Sequence, residues 1–362
     1  MPSTVYFSDM AYSAYEADQT LPRKLERQLK ASDLGKKVKN KKVAIKIHVG
    51  SEIGYSTIPP VFMRLLASFV KEKGGDCFFT DHYIADRHPE HRGYTQESLG
   101  APIVEGAGHL GKYLYTKEVD WKSLKHVDIA GHIHDADFLI DFSHFKGHGC
   151  CSYGGAVKNI AMGCVSDRTR REEHGLEGGL TWDKNKCTHC ESCIKSCNHK
   201  ANSFNKKGVY EVNSHHCTLC QHCLKVCPTK AISLTGATYL DFQKGMALCT
   251  KTVLDTFKEG NVFYINLLIS ITAMCDCWGI TTPYLVPDIG VMSSWDLAAI
   301  ETASLDQIKF EKLLPEGVPE GYKLGKKGHL FERLHGKDPY TQIQFLEEYK
   351  LGTWKYTLEM VK

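Results

Sequence analysis

The residues best able to do chemistry in this chain are its cysteines, and they come in a pattern. There are 15 of them among 362 residues. Eight fall between residues 181 and 236, in a repeat offset by 30 positions: CTHCESCIKSCNHKANSF from Cys187 and CTLCQHCLKVCPTKAISL from Cys217. Nine of the 18 aligned positions are identical. Each copy reads C-x2-C-x2-C-x3-C. A loop with that spacing wraps three thiolates around one iron–sulfur cubane, and the following turn carries the fourth cysteine to a neighbouring cubane. The expected ligand sets are Cys187, Cys190, Cys193 and Cys227 for cluster one, and Cys217, Cys220, Cys223 and Cys197 for cluster two. A zinc ribbon uses separated CxxC pairs and has no need of a third and fourth cysteine twice over. Crossed ligation would also tie the half-repeats into one unit, which is too small to build a sufficient apolar core alone.

This insert resembles the bacterial two-[4Fe–4S] ferredoxins. It departs from their pattern once, since Asn198 stands where proline normally follows the fourth cysteine, as Pro228 does in the second copy. The resemblance implies an electron relay, with reduction potentials on the order of −400 mV.

The elements around the insert read as α/β. Val43–His48, Cys77–Thr80 and Phe138–Phe142 are short β-branched or aromatic runs. A helical stretch from Pro60 to Lys73 spaces Phe62, Leu65, Leu66, Phe69 and Val70 along one face and stops at Gly74–Gly75. After the insert, Tyr239–Phe257 reads as helix, Val262–Ile271 as a buried strand, and Trp295–Leu313 as helix. The rhythm predicts a mostly parallel sheet with helices on both faces, interrupted by the small ferredoxin-like insert. The expected organisation is an α/β domain in two parts, residues 1–180 and 237–362, around the insert at 181–236. The basic run Lys36–Lys42 reads as a solvated loop.

In an open α/β sheet, ligands bind beyond the carboxyl ends of the strands. His48 follows the first strand candidate. Asp81 and His82 follow the second, His144, Lys146 and His148 the third, and Cys275 and Cys277 the long apolar run. His91, His109 and His126 are background. The densest stretch is KGHGCCSYGGAVKNIAMG, from Lys146 to Gly163. There Gly154–Gly155 precede a helical segment whose start would let an anion approach free backbone N–H groups, and Lys158 lies about one turn in. Cys77, Cys164 and Cys249 read as small buried apolar residues.

ADFLIDFSHFKGHGCCSYGGAVKNIAMG, CDCWG from Cys275 and VPDIGVMSSWDLAAIETASLD from Val286 resemble the uncharacterised iron–sulfur-centre proteins that carry the domain of unknown function 362. That resemblance implies iron–sulfur binding and brings no established reaction. A fainter one is to the nickel-pincer-nucleotide lactate racemases. His148 stands ten residues before Lys158 with SYGG between them, and His174 follows sixteen later. The resemblance implies an acid/base role for His148, a cofactor-holding role for Lys158 and nickel binding by His174. Ala156–Val157 replace the expected Gly–Arg, and only His82 offers itself as the second acid/base histidine.

Together these readings place His148, Lys158 and His174 as catalytic residues, with Gly154, Gly155, Cys275 and Cys277 holding a further metal or organic cofactor. The leading expectation is an oxidoreductase that moves electrons between the clusters and this site, under anaerobic conditions. The alternatives are a non-catalytic carrier docking a redox partner protein, and a racemase-like or cofactor-handling enzyme acting on a small-molecule substrate. A net charge of +3 and a pI near 8.1 argue against nucleic acid as a partner. The start MPSTVYFSDM lacks the apolar core of a leader, and Val262–Met274 is too short to span a bilayer. A cytoplasmic location is the expectation.

Overall fold

The computed structural model describes residues 1–51, 54–82, 87–213, 216–279 and 281–362. Its centre is an eight-stranded sheet in the order Tyr356–Met360, Ser3–Asp9, Gly290–Ser294, Val262–Leu268, Phe138–His144, Lys42–Lys46, Asp76–Asp81, Ile103–Glu105. Every neighbouring pair is parallel except at Gly290–Ser294, which runs antiparallel to both of its neighbours. The mostly parallel α/β architecture is therefore as expected. Parallel strands covered on both faces read as unbroken apolar runs, and Phe138–His144 is buried at every position.

Helices cover both faces. Leu21–Ala31 and Pro60–Glu72 pack their buried leucines, Phe62 and Val70 on one side. Ala156–Ala161, Tyr239–Leu254 and Leu297–Gln307 close the other. Local chemistry sets their ends. Pro60 sits in the first turn of its helix, where its missing N–H costs nothing. Thr238 and Asp241 form a capping box, and Asp296 accepts from Ala299 N–H at 2.9 Å. The Leu297–Gln307 helix is shorter than its apolar pattern because it starts after this cap and ends before Ile308. The expected basic loop is also corrected. Leu34–Val38 is a short helix, because Leu34 and Val38, one turn apart, both reach the core while Lys36 and Lys37 stay in water.

The insert opens and closes on a strand pair, Gly179–Trp182 antiparallel to Ile232–Thr235. Between them the sequence repeat becomes a backbone repeat. Left-handed conformations recur at His189 and Leu219, at Glu191 and Gln221, and at Lys200 and Lys230. Short helices follow at Ser192–Lys195 and His222–Val226. Among the described residues, no helix is long and apolar enough to cross a membrane.

Candidate functional site

A cavity opens at the carboxyl ends of the parallel strands, where the strand-end residues converge. Lys46 ends its strand wholly buried inside an apolar run. Its ammonium meets Asp81 Oδ1 at 3.0 Å and Asn159 Oδ1 at 2.5 Å. Burial would raise the Asp81 carboxyl, but Lys46 and His48 outweigh it and hold it well below the usual range. Asn159 in turn donates to Asp141 Oδ1 at 2.6 Å, and Ser143 donates to Oδ2 at 2.8 Å. Burial nevertheless pushes Asp141 up to about 8, because removing a carboxylate from water disfavours its charge.

A second buried carboxylate, Asp276, lies behind the cavity. It accepts from His144 Nδ1 at 2.8 Å and from Ser56 at 2.8 Å, with Lys146 at 3.5 Å. Burial opposes its charge, and His144 and Lys146 more than offset that, so Asp276 is ionised. The flanking residues, Cys275 and Cys277, present their sulfurs to Lys158, whose Nζ lies 4.0 Å from one and 3.8 Å from the other. His148 Nε2 is 3.5 Å from Cys277 Sγ.

His148, Cys275 and Cys277 bring their ligand atoms within 4.8 Å of one another, close enough to hold a metal ion. The other ring nitrogen of His148 bears on that capacity. Nδ1 accepts N–H bonds from Cys150 at 3.1 Å and Cys151 at 3.2 Å. Burial, then Lys158, keeps the ring neutral, so its single hydrogen sits on Nε2 and points at sulfur. Metal-bound histidines usually show the reverse, donating their second N–H outward.

Lys158, Cys277, Gly154, Lys146 and Arg170 all line the cavity. His174 does not. It sits one helical turn beyond Arg170 on Asp167–His174, half-exposed, with Nδ1 2.5 Å from Glu177 Oε1. The glycine pair also works differently from the expectation of an external anion. Ala156 N–H, the first of the helix, donates to Glu301 Oε1 at 2.8 Å. A Cβ on Gly155 would fall 2.5 Å from that oxygen, so the bare glycine admits the protein's own carboxylate. Cys77, Cys164 and Cys249 are buried, and burial raises all three thiols.

The insert packs directly against this region. A Cβ on Gly149, next to His148, would lie 2.6 Å from Thr218 Cγ2 and 3.5 Å from Met274 Cε. The buried Lys337 donates to Gly149 O at 2.7 Å and to Thr218 O. Within the insert, one cavity is lined by Cys197, Cys217, Cys220 and Cys223. Ala201 and Ala231, at matching positions of the repeat, donate their N–H groups to Cys197 Sγ and Cys227 Sγ, each at 3.2 Å.

Lys46, Asp141, Asn159, Asp276 and Arg170 were not among the expected site residues. Lys46 in VAIKI and Asp141 in FLIDF carried a legible signal, since a charge inside a buried strand needs a partner. Asn159, Asp276 and Arg170 carried none.

The profile of a family described as a domain of unknown function, DUF362, matches residues 43–306. No curated protein matches the chain. Among solved structures, the lactate racemase apoprotein from Thermoanaerobacterium thermosaccharolyticum is similar at 13% identity, with a TM-score of 0.38 over 74% of this chain and 51% of that one. The chain thus spans about half the length of that structure.

Proposed function

The chain belongs to the DUF362 family, and from that premise we propose that it is an iron–sulfur electron-transfer protein serving the strand-end cavity. Cluster one would be held by Cys187, Cys190, Cys193 and Cys227, and cluster two by Cys217, Cys220, Cys223 and Cys197. The observation that carries the reading is the cavity lined by all four cysteines of the second set. Cys197 reaches it from the other half-repeat, as crossed ligation requires. When bound, the clusters supply one-electron transfer.

The chain's own residues do the rest. Ala201 and Ala231 N–H groups stabilise negative sulfur at the fourth cysteine of each copy. The Thr218 loop meets Gly149 and so brings the second cluster site to the wall that carries His148 and Cys275. Lys46 is balanced by Asp81 and Lys146 by Asp276, whereas Lys158 has no carboxylate partner among the described residues. The guanidinium groups of Arg87 and Arg170 also line the cavity, and that positive lining suits an anionic small-molecule substrate.

Anaerobically purified protein is expected to carry about eight irons and eight acid-labile sulfides, four of each per cubane, and to bleach on reduction. Zinc without labile sulfide would overturn the reading. A cofactor-handling enzyme is the second reading, favoured by the meeting of His148 and Lys158 at one pair of thiols. It requires stoichiometric nickel or an organic cofactor in the same preparation.

A further inference from the structure

Cys275 and Cys277 are the point where the insert, the cavity and a set of positioned hydrogen-bond donors meet. We propose that they form a redox dithiol, a two-electron store between the cluster-bearing insert and the cavity. The proposal rests on the iron–sulfur reading for its electron supply.

The geometry is that of a tuned thiol pair. Lys158 stands within 4.0 Å of both sulfurs, Cys277 N–H points at Cys275 Sγ at 3.5 Å, and His148 Nε2 reaches Cys277 Sγ at 3.5 Å. The hydrogen on Nε2 follows from the two backbone donors at Nδ1. These three groups each offer sulfur a hydrogen, which stabilises one thiolate. Burial alone would raise Cys275. The hydrogen bond from Cys277 and the charges of Lys158 and Lys146 pull it well below the usual thiol range. Its partner is held protonated by that same bond and by burial. Cys277 lines the cavity and Cys275 lies behind it, so Cys277 is the sulfur a substrate meets.

The step balances with the cofactors already proposed. The Cys275–Cys277 disulfide takes two electrons and one proton. Its S–S bond breaks, Cys275 becomes the thiolate beside Lys158, and Cys277 takes the proton. Two [4Fe–4S] clusters held by the cysteine sets proposed above would supply one electron each, which matches a two-electron acceptor. The route is short, since Thr218, next to Cys217, touches Gly149 and Met274 is packed on the same spot.

The test uses the holoprotein under anaerobic conditions, with thiols alkylated in denaturant and read by peptide mass spectrometry. After treatment with diamide, the peptide holding Cys275 and Cys277 should be unlabelled and lighter by one pair of hydrogens. After dithionite reduction and removal of the reductant, both sulfurs should be labelled. Cys197→Ser, which removes a cluster-two ligand, should abolish that dithionite-driven relabelling while diamide still oxidises the pair. In a separate alkylation of the folded, reduced protein, Lys158→Met should move the pH profile of Cys277 labelling upward, with iron content unchanged. A full complement of iron with no disulfide at Cys275–Cys277 would overturn this proposal and leave the iron–sulfur reading standing. Absence of iron would overturn the electron supply first. A stoichiometric non-cluster metal, lost in Cys277→Ser, would make the pair a ligand set and overturn the dithiol.

Discussion

In the α/β body, the sheet separates two cores of buried aliphatic and aromatic side chains, one on each face. In the insert, the buried apolar cluster is Cys193, Tyr210, Cys223 and Ile232. Half of that cluster is cysteine assigned to metal. The body is held by removal of apolar surface from water, and it can afford a buried charge network at its strand ends. The insert has a far smaller apolar cluster, so under the proposed ligation its rigidity would come from bound metal. The difference teaches where each kind of damage will show. Loss of metal should strike the insert, whereas loss of a buried charge should strike the body.

The largest effect expected is that of cluster loss. Chelation or exposure to oxygen should unfold the insert, with first proteolytic cleavage between Thr181 and Leu234 and the body surviving as a folded remnant. Equal early cleavage throughout the chain would break the comparison by making the insert structural cement for the whole protein.

Next is Lys46→Met, placed in the body. It strands Asp81 and Asn159, which now share the ammonium. Breaking a buried pair from one side costs about 3–5 kcal/mol, so denaturant unfolding of the body should shift to lower concentration with cluster spectra intact. Loss of the clusters in this variant would show that the two regions fold as one.

The smallest effect concerns pH, where the two regions touch. Burial pulls His335 down to about 3 and His82 down to about 4. Each is neutral when folded and titrates near 6.5 when unfolded, so the unfolded chain binds more protons between those values. Their contribution is complete above pH ~6.5 and is lost as pH falls towards the folded values. His335 Nε2 lies 3.0 Å from Ala273 O, beside the cavity wall. His335→Gln keeps an N–H donor and removes the titration. It should lessen the acid destabilisation by about 1.4 kcal/mol at one pH unit below the free value. Melting temperatures at pH 7 and 5.5 read the change, and an unchanged difference between them would refute it.

Much of the body was legible because buried parallel strands are apolar runs. Val262–Leu268 and Phe138–His144 are seven-residue strands with scarcely an exposed position, and their ends marked the cavity. Helix limits were less legible, since Asp296 and Ile308 trim a pattern that continues past them. His174 fits a spacing, but spacing along the chain does not say which turn of a helix faces a cavity. Arg170, one turn earlier, faces it instead.

What the amino-acid sequence determined by itself is the cluster motif. Its three nearest ligands lie within seven residues of one another in each copy, so a local loop suffices and no distant contact is needed. What only the tertiary structure decided is the company that motif keeps. His148 and Cys277 are 129 residues apart in the chain, and Ala156 and Glu301 are 145. Such meetings depend on how the sheet orders its strands and on which faces the helices bury. Pairwise spacing encodes neither, because the cost of closing a long loop grows only slowly with its length and leaves many partners open.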